Sequence, residues 1–260
     1  MFDSLPGLGA CLAFVACVAV ATYAQNLTGF ALSLILLGLV AVLHIVPIGD
    51  AVNAATVITL FNAWSYVRLH RVSPPWQLIR PALLSSLVGV VVGVALLAWL
   101  SGGGGLQWLR GLLGLSILGC AVLLVLQSRP LERVSPPGGF VVAGALAGIL
   151  GGMFSSSGPP LVYHMYRQPL AASVIRVGLL AVFAVNAALR LVLVVASGQF
   201  RLGSLVLAAC AIPVVYGVGH LNHRYPLRMS PANLRRLVAA LLLLAGGSLL
   251  VSSVRALIAG

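Results

Sequence analysis

Two short polar stretches interrupt an otherwise apolar chain, and both carry groups that bind anions. Ser155-Ser-Ser157-Gly158-Pro-Pro160 supplies three hydroxyls and then a helix start. Ser157 is placed to cap that helix, and Pro159 and Pro160 fall in its first turn, where a missing N–H costs nothing. Asn26-Leu-Thr28-Gly29 supplies an amide and a hydroxyl, with Asn26 or Thr28 as the predicted cap and Gly29 allowing close backbone approach. A helix N-terminus presents unpaired N–H groups and about half a positive charge. Two such ends meeting near a membrane midplane would form a site for a small anion. The predicted binding residues are therefore Asn26, Thr28, Gly29, Ser155, Ser156, Ser157, Gly158 and Pro159.

Four ionisable side chains could add charge or move a proton beside these stretches. His44 and His164 follow the two breaks at comparable distances, and an imidazole could couple an anion to protons; an ordinary interfacial histidine is the plainer reading. Arg176 begins an apolar run after a short loop, where snorkelling suits it. Arg190 lies well inside an apolar run, and both snorkelling and a cavity-facing position are open to it. Asp50 is expected at the outer surface as the cap of the next helix. Catalysis fits poorly: the acids Asp3, Asp50 and Glu132 are scattered and supply neither a metal-binding motif nor an acid/base pair. No metal or cofactor is expected, and a membrane-embedded lipid-modifying enzyme is set aside. Cys11, Cys17, Cys120 and Cys210 lie singly in apolar runs and read as small core residues.

The elements that must position these groups are membrane helices. The chain has 260 residues, 61% hydrophobic and 7% charged, and its mean hydropathy is +1.12, outside the range of soluble domains. Its apolar runs approach or exceed the roughly 20 residues that cross a hydrocarbon core of about 30 Å. The net charge of +12 comes from arginine alone, clustered between the runs, so topology accounts for it and nucleic acid does not. No basic residue precedes the first run, which is expected to stay as a helix rather than be cleaved. Breaks at Pro, Gly and Arg give ten segments, approximately 8–24, 29–46, 51–69, 79–100, 106–126, 140–154, 159–166, 170–196, 202–221 and 231–254. The seventh is too short to span, so eight to ten crossings are expected, with broken or re-entrant helices.

The second half repeats the first. Val90-Val-Val-Gly93 matches Val214-Val-Tyr-Gly217, and Leu109-Arg110 matches Leu234-Arg235, each at an offset of about 125 residues. Each half holds five segments and a polar break between its first two. An odd number makes the halves inverted, giving a first repeat over 1–127, a cytoplasmic linker over 128–138 and a second repeat over 139–260. With the stretch from Arg68 to Arg80 inside, eleven arginines fall inside and four outside, as the positive-inside rule requires. Both chain ends are then external. The glycines Gly144, Gly148 and Gly152 form a small-xxx-small series that also suits close helix packing.

Gly148-Ile-Leu-Gly-Gly152-Met-Phe-Ser-Ser-Ser-Gly158-Pro-Pro160-Leu-Val-Tyr resembles the second-repeat signature of the TauE/SafE sulfite exporter family. Leu234-Arg-Arg-Leu-Val-Ala-Ala-Leu-Leu-Leu-Leu-Ala-Gly246 is similar to that family's last helix, and Asn26 to Phe30 sits where its first glycine-rich motif falls. The resemblance implies a multi-pass transporter of sulfite, organosulfonates or related sulfur oxyanions in a bacterial-type inner membrane. A passive anion channel is the alternative. Family members usually carry glycine where this chain has Ser155 and Ser157, which puts the choice of anion within the family in question. The expected partners are a small anion and the lipid bilayer, with protons as the candidate coupling ion; no nucleic acid is expected.

Overall fold

The computed structural model describes residues 7–28, 30–70, 73–102, 106–125, 131–224 and 231–258. Among them are ten α-helices: α1 (Leu8–Thr28), α2 (Leu32–Leu43), α3 (Ile48–His70), α4 (Trp76–Gly102), α5 (Leu106–Val125), α6 (Pro137–Phe154), α7 (Gly158–Tyr166), α8 (Ala172–Ala196), α9 (Leu202–Arg224) and α10 (Pro231–Ile258). Five of them, α1, α4, α6, α8 and α9, contain stretches long and apolar enough to cross a membrane. Large apolar side chains such as Leu84, Val88, Val142, Val192 and Leu244 are exposed on the outside of the bundle. In water they would form a liability; against lipid tails they are at rest. The chain is an all-helical, polytopic membrane protein.

The two short helices lie at the centre. Leu34, Leu36 and Leu37 of α2 are almost wholly buried, as are Leu161 and Met165 of α7. At 12 and 9 residues, they reach about 18 and 14 Å, well short of the hydrocarbon core. Their unpaired ends can be tolerated only because longer helices surround them. α2 packs on α1, α3 and α10, while α7 packs on α6, α8 and α5.

Packing partners correspond when α1–α5 are exchanged for α6–α10. α4 on α6 answers to α9 on α1, α3 on α9 to α8 on α4, and α2 on α10 to α7 on α5; α3 with α8 and α5 with α10 map onto themselves.

The α4–α6 contact is built from glycine. A Cβ at Gly144, Gly148 or Gly152 would run into the carbonyl oxygen of Ala82, Ser86 or Val90, and one at Gly89 or Gly93 into that of Ala145 or Ile149. Five missing side chains thus let two backbones touch, which is the small-xxx-small packing expected of this series.

α6 and α7 form a helical hairpin that enters and leaves at one end. The Leu131 N–H donates to the Arg167 carbonyl at 2.8 Å, and the Ser135 N–H donates to Gln168 Oε1 at 2.8 Å. Gln168 Nε2 returns a bond to Ser135 Oγ at 3.1 Å, and the His164 ring meets Phe140 edge-on at 4.5 Å. The tip of this hairpin is Ser155-Ser156-Ser157. Its start at Pro137 falls just before the expected repeat boundary, while residues 126–130 of the linker region lie outside the described residues.

Candidate functional site

The two helix breaks face one another. A cavity of about 20 Å³ is lined by Ala31, Leu32 and Ser33 from the first break and by Ser155, Ser156, Ser157 and Gly158 from the second. That is room for one or two waters. A Cβ on Gly158 would come within 3.6 Å of Leu34 and 3.9 Å of Phe30, so the tips abut directly. The N-termini of α2 and α7 both open on this cavity; α2 brings the N–H groups of its first turn, and α7, whose Pro159 and Pro160 carry none, brings that of Gly158.

Local backbone geometry makes the tips. Ser155 closes α6 in the left-handed conformation, at φ 54°, and donates its N–H to the Gly151 carbonyl at 2.9 Å. Ala31, at φ 83°, precedes α2 in the same left-handed region. Such conformations are costly for residues with a Cβ and persist where surrounding packing enforces them.

Several sequence expectations are corrected here. Asn26 and Thr28 do not cap α2: both belong to the last turn of α1, which runs on to Thr28, and the turn falls later, with Ala31 at the cap position. Asn26 is buried, but Gln25 beside it is the residue that lines the cavity. The Thr28 side chain and the whole of Gly29 lie outside the described residues. Ser157 does occupy the cap position of α7, yet its hydroxyl makes no capping bond. It accepts instead from Asn186 Nδ2 at 3.2 Å, and Asn186 Oδ1 in turn accepts from Ser86 Oγ at 2.8 Å. Packing drives this choice, because a Cβ on Gly151 would collide with the Ser157 hydroxyl, which is folded back against α6. Pro159 is buried behind the tip and does not line the cavity.

The charged candidates separate. Arg190 is 1% exposed. Its Nε donates to the Gly152 carbonyl at 2.9 Å, and Nη1 donates to Asn53 Oδ1 at 3.2 Å and to Thr56 Oγ1 at 2.6 Å. All three acceptors are neutral, so a full positive charge is held inside the bundle by dipoles. It borders a cavity of about 770 Å³ lined also by Asp50, Asn53, Phe154, Gln199 and Arg201. This vestibule lies at the end of the bundle where the α2–α3 and α8–α9 connections run. Arg176 is half-buried in the first turns of α8, away from either cavity. His44 is exposed, closes α2 at φ 51° and bonds its Nδ1 to Val42 O at 3.1 Å, so it approaches neither cavity. His164 packs at the open end of the α6–α7 hairpin, where a Cβ on Gly139 would touch its ring. Asp50 sits inside the first turn of α3 rather than at its cap, and Oδ1 accepts from Ser204 Oγ at 2.9 Å. Cys210 is not a core residue: it is exposed on α9.

Within α3 the sequence singles out Asn53 and Asn62, as residues that line a pathway or bond between helices, but not the series they belong to. Asn53, Thr56, Thr59, Asn62 and Ser65 recur at every third position, and all five are buried. Asn53 and Thr56 are occupied by Arg190, and Asn53 Nδ2 also donates to the Gln199 carbonyl at 3.1 Å. Thr59 lines the central cavity. Among the described residues, Thr59 Oγ1, Asn62 Nδ2 and Ser65 Oγ find no hydrogen-bond partner, nor do Thr22 Oγ1, Gln25 Oε1 and Asn26 Nδ2 of α1 or Ser155 Oγ at the tip. Each such group costs about 1–3 kcal/mol unless water or a ligand meets it, so seven of them mark wet or substrate-bearing space.

The family described as Sulfite exporter TauE/SafE matches residues 13–249 of the chain. The chain is 35% identical over 235 residues to the probable sulfite/organosulfonate exporter TauE of Cupriavidus necator, covering 90% of this chain and 91% of that protein. It is 26% identical over 175 residues to the probable inner membrane transporter protein TsaS of Comamonas testosteroni, covering 67% of this chain and 72% of that one. No solved structure matches the chain.

Proposed function

The chain belongs to the TauE/SafE sulfite exporter family, and from that membership we propose that it carries small sulfur oxyanions, sulfite and organosulfonates foremost, across the bacterial inner membrane. The cavity between the two breaks is the resting place of the anion. One observation carries this: two helix N-termini and the hydroxyls of Ser155 and Ser156 converge on one buried space from opposite halves of the chain. An oxyanion leaving water needs donors on several sides, and backbone N–H groups with hydroxyls supply them without a counter-charge that would hold it too tightly.

Arg190 draws the anion in. Under the positive-inside assignment the 770 Å³ vestibule opens outward, and a buried guanidinium at its floor lowers the cost of bringing a negative charge that far. The layer of Arg190, Asn53, Thr56 and the Gly152 carbonyl closes the vestibule from the central cavity. Alternating access consists of breaking that layer. The exchange of packing partners between α1–α5 and α6–α10 supports two inverted repeats as the moving units. Protons are the proposed coupling ion, and both chain ends are placed outside.

Purified protein in liposomes tests the proposal, with sulfite, thiosulfate, sulfoacetate, sulfate and chloride offered with and without a pH gradient. Saturable flux of sulfite or sulfoacetate is expected, and uphill movement driven by the gradient identifies a coupled carrier rather than a channel. No flux of any anion through folded protein overturns the proposal. Ser156→Leu is expected to abolish flux while leaving folding and insertion intact; unchanged flux would show that the anion does not pass the tip.

A further inference from the structure

We infer that the buried polar faces of α1 and α3, closed over by α9 at Gly219, form a hydrated inlet joining the central cavity to the arginine-rich end of the bundle, and that it passes oxyanions. The inlet deepens the transport reading and rests on it for the identity of the solute.

The polar series of α3 falls into two halves. Toward the vestibule, Asn53 and Thr56 are held by Arg190. Away from it, Thr59, Asn62 and Ser65 are each at least nine-tenths buried, and each holds a polar atom with no partner among the described residues. Spaced three apart, they climb the helix from the central cavity toward its far end, turning by about 60° at each step. Arg68 stands at the next step, exposed at the helix end with its guanidinium 5.3 Å from the Trp64 ring centroid. A cation there can gather anions at the mouth.

α1 supplies the facing wall. Gln25 lines the same central cavity as Thr59, and Asn26 follows with an unpartnered Nδ2. α9 packs along both α1 and α3. A Cβ on Gly219 would lie 3.9 Å from both Asn26 Nδ2 and Ser65 Oγ, which places both atoms around one position that has no side chain. The unpartnered atoms include two amide nitrogens, which only donate, and hydroxyls, which can donate. Neutral donors along a buried route favour an anion over a cation and release it again.

Accessibility of introduced thiols tests the inlet. In a variant whose cysteines at 11, 17, 120 and 210 are replaced by alanine, Asn62→Cys and Ser65→Cys are treated with membrane-impermeant sulfonatoethyl methanethiosulfonate on the cytoplasmic face. Thiol reactivity follows access, so both should label on the order of tenfold faster than Ile58→Cys, a position fully buried on the same helix. Sulfoacetate should slow the labelling. Labelling at the Ile58→Cys rate, in protein that still transports, overturns the inlet and leaves the transport reading standing. Fast labelling in protein that moves no anion upholds a hydrated inlet and overturns transport. Gly219→Trp gives a second measurement: the indole should block flux that Gly217→Trp, on the same helix where a Cβ meets nothing within 4 Å, preserves, and undiminished flux in folded Gly219→Trp counts against the inlet.

Discussion

At the scale of single residues, two threonines one helical turn apart make opposite predictions. Thr56 Oγ1 accepts from Arg190 and donates to the Val52 carbonyl at 3.0 Å. Thr56→Val should lower the melting temperature in detergent, because losing a hydrogen bond to a buried charge costs about 1.5–3 kcal/mol. Thr59 has no protein partner for its hydroxyl. Thr59→Val should leave the melting temperature unchanged or raised while reducing flux. A fall in stability equal to that of Thr56→Val would mean that Thr59 is structural. Neither residue stood out in the sequence, because one small hydroxyl is unremarkable in an apolar helix and only the spacing of the series carries information. Arg190 was visible as an intramembrane charge, yet its neutral acceptors lie on α6, 38 residues earlier in the chain, and on α3, 134 and 137 residues earlier, and no local pattern could name them.

At the scale of elements, the helices themselves were legible. All ten expected segments correspond to helices, because long apolar runs admit few other structures in lipid. The ends were less legible. α1 continues past Asn26 because its last turn is buried against neighbours that the sequence does not reveal, and the cap chemistry of a polar stretch was outweighed by packing. The glycine series on α6 was readable, whereas its partner α4 was not. Gly148→Ala should force α4 and α6 apart, since the added methyl meets the Ser86 carbonyl, and overpacking of this kind costs about 1–3 kcal/mol. Gly217→Ala is the control: a Cβ there meets nothing within 4 Å, and helix propensity should raise stability by up to about 1 kcal/mol. Thermal unfolding of the two variants side by side checks the difference, and equal effects would refute a close backbone contact.

At the scale of the whole molecule, the proposed orientation rests on the arginine distribution. Alkaline phosphatase fused after Gly260 should be active, and the same enzyme inserted between Ser73 and Pro74 should be inactive; the reverse result would invert the vestibule and the inlet together. The spacing of the sequence suggests two repeats, and the proposed route from vestibule through central cavity to inlet runs along a single helix, α3. Positions three apart on a helix of 3.6 residues per turn lag by about 60° and climb about 4.5 Å per step. The polar series of α3 therefore winds about its axis like the thread of a screw, turned toward Arg190 of α8 at Asn53 and toward Gly219 of α9 at Ser65. For an anion seated on that thread, twisting α3 and sliding it lengthwise are the same displacement.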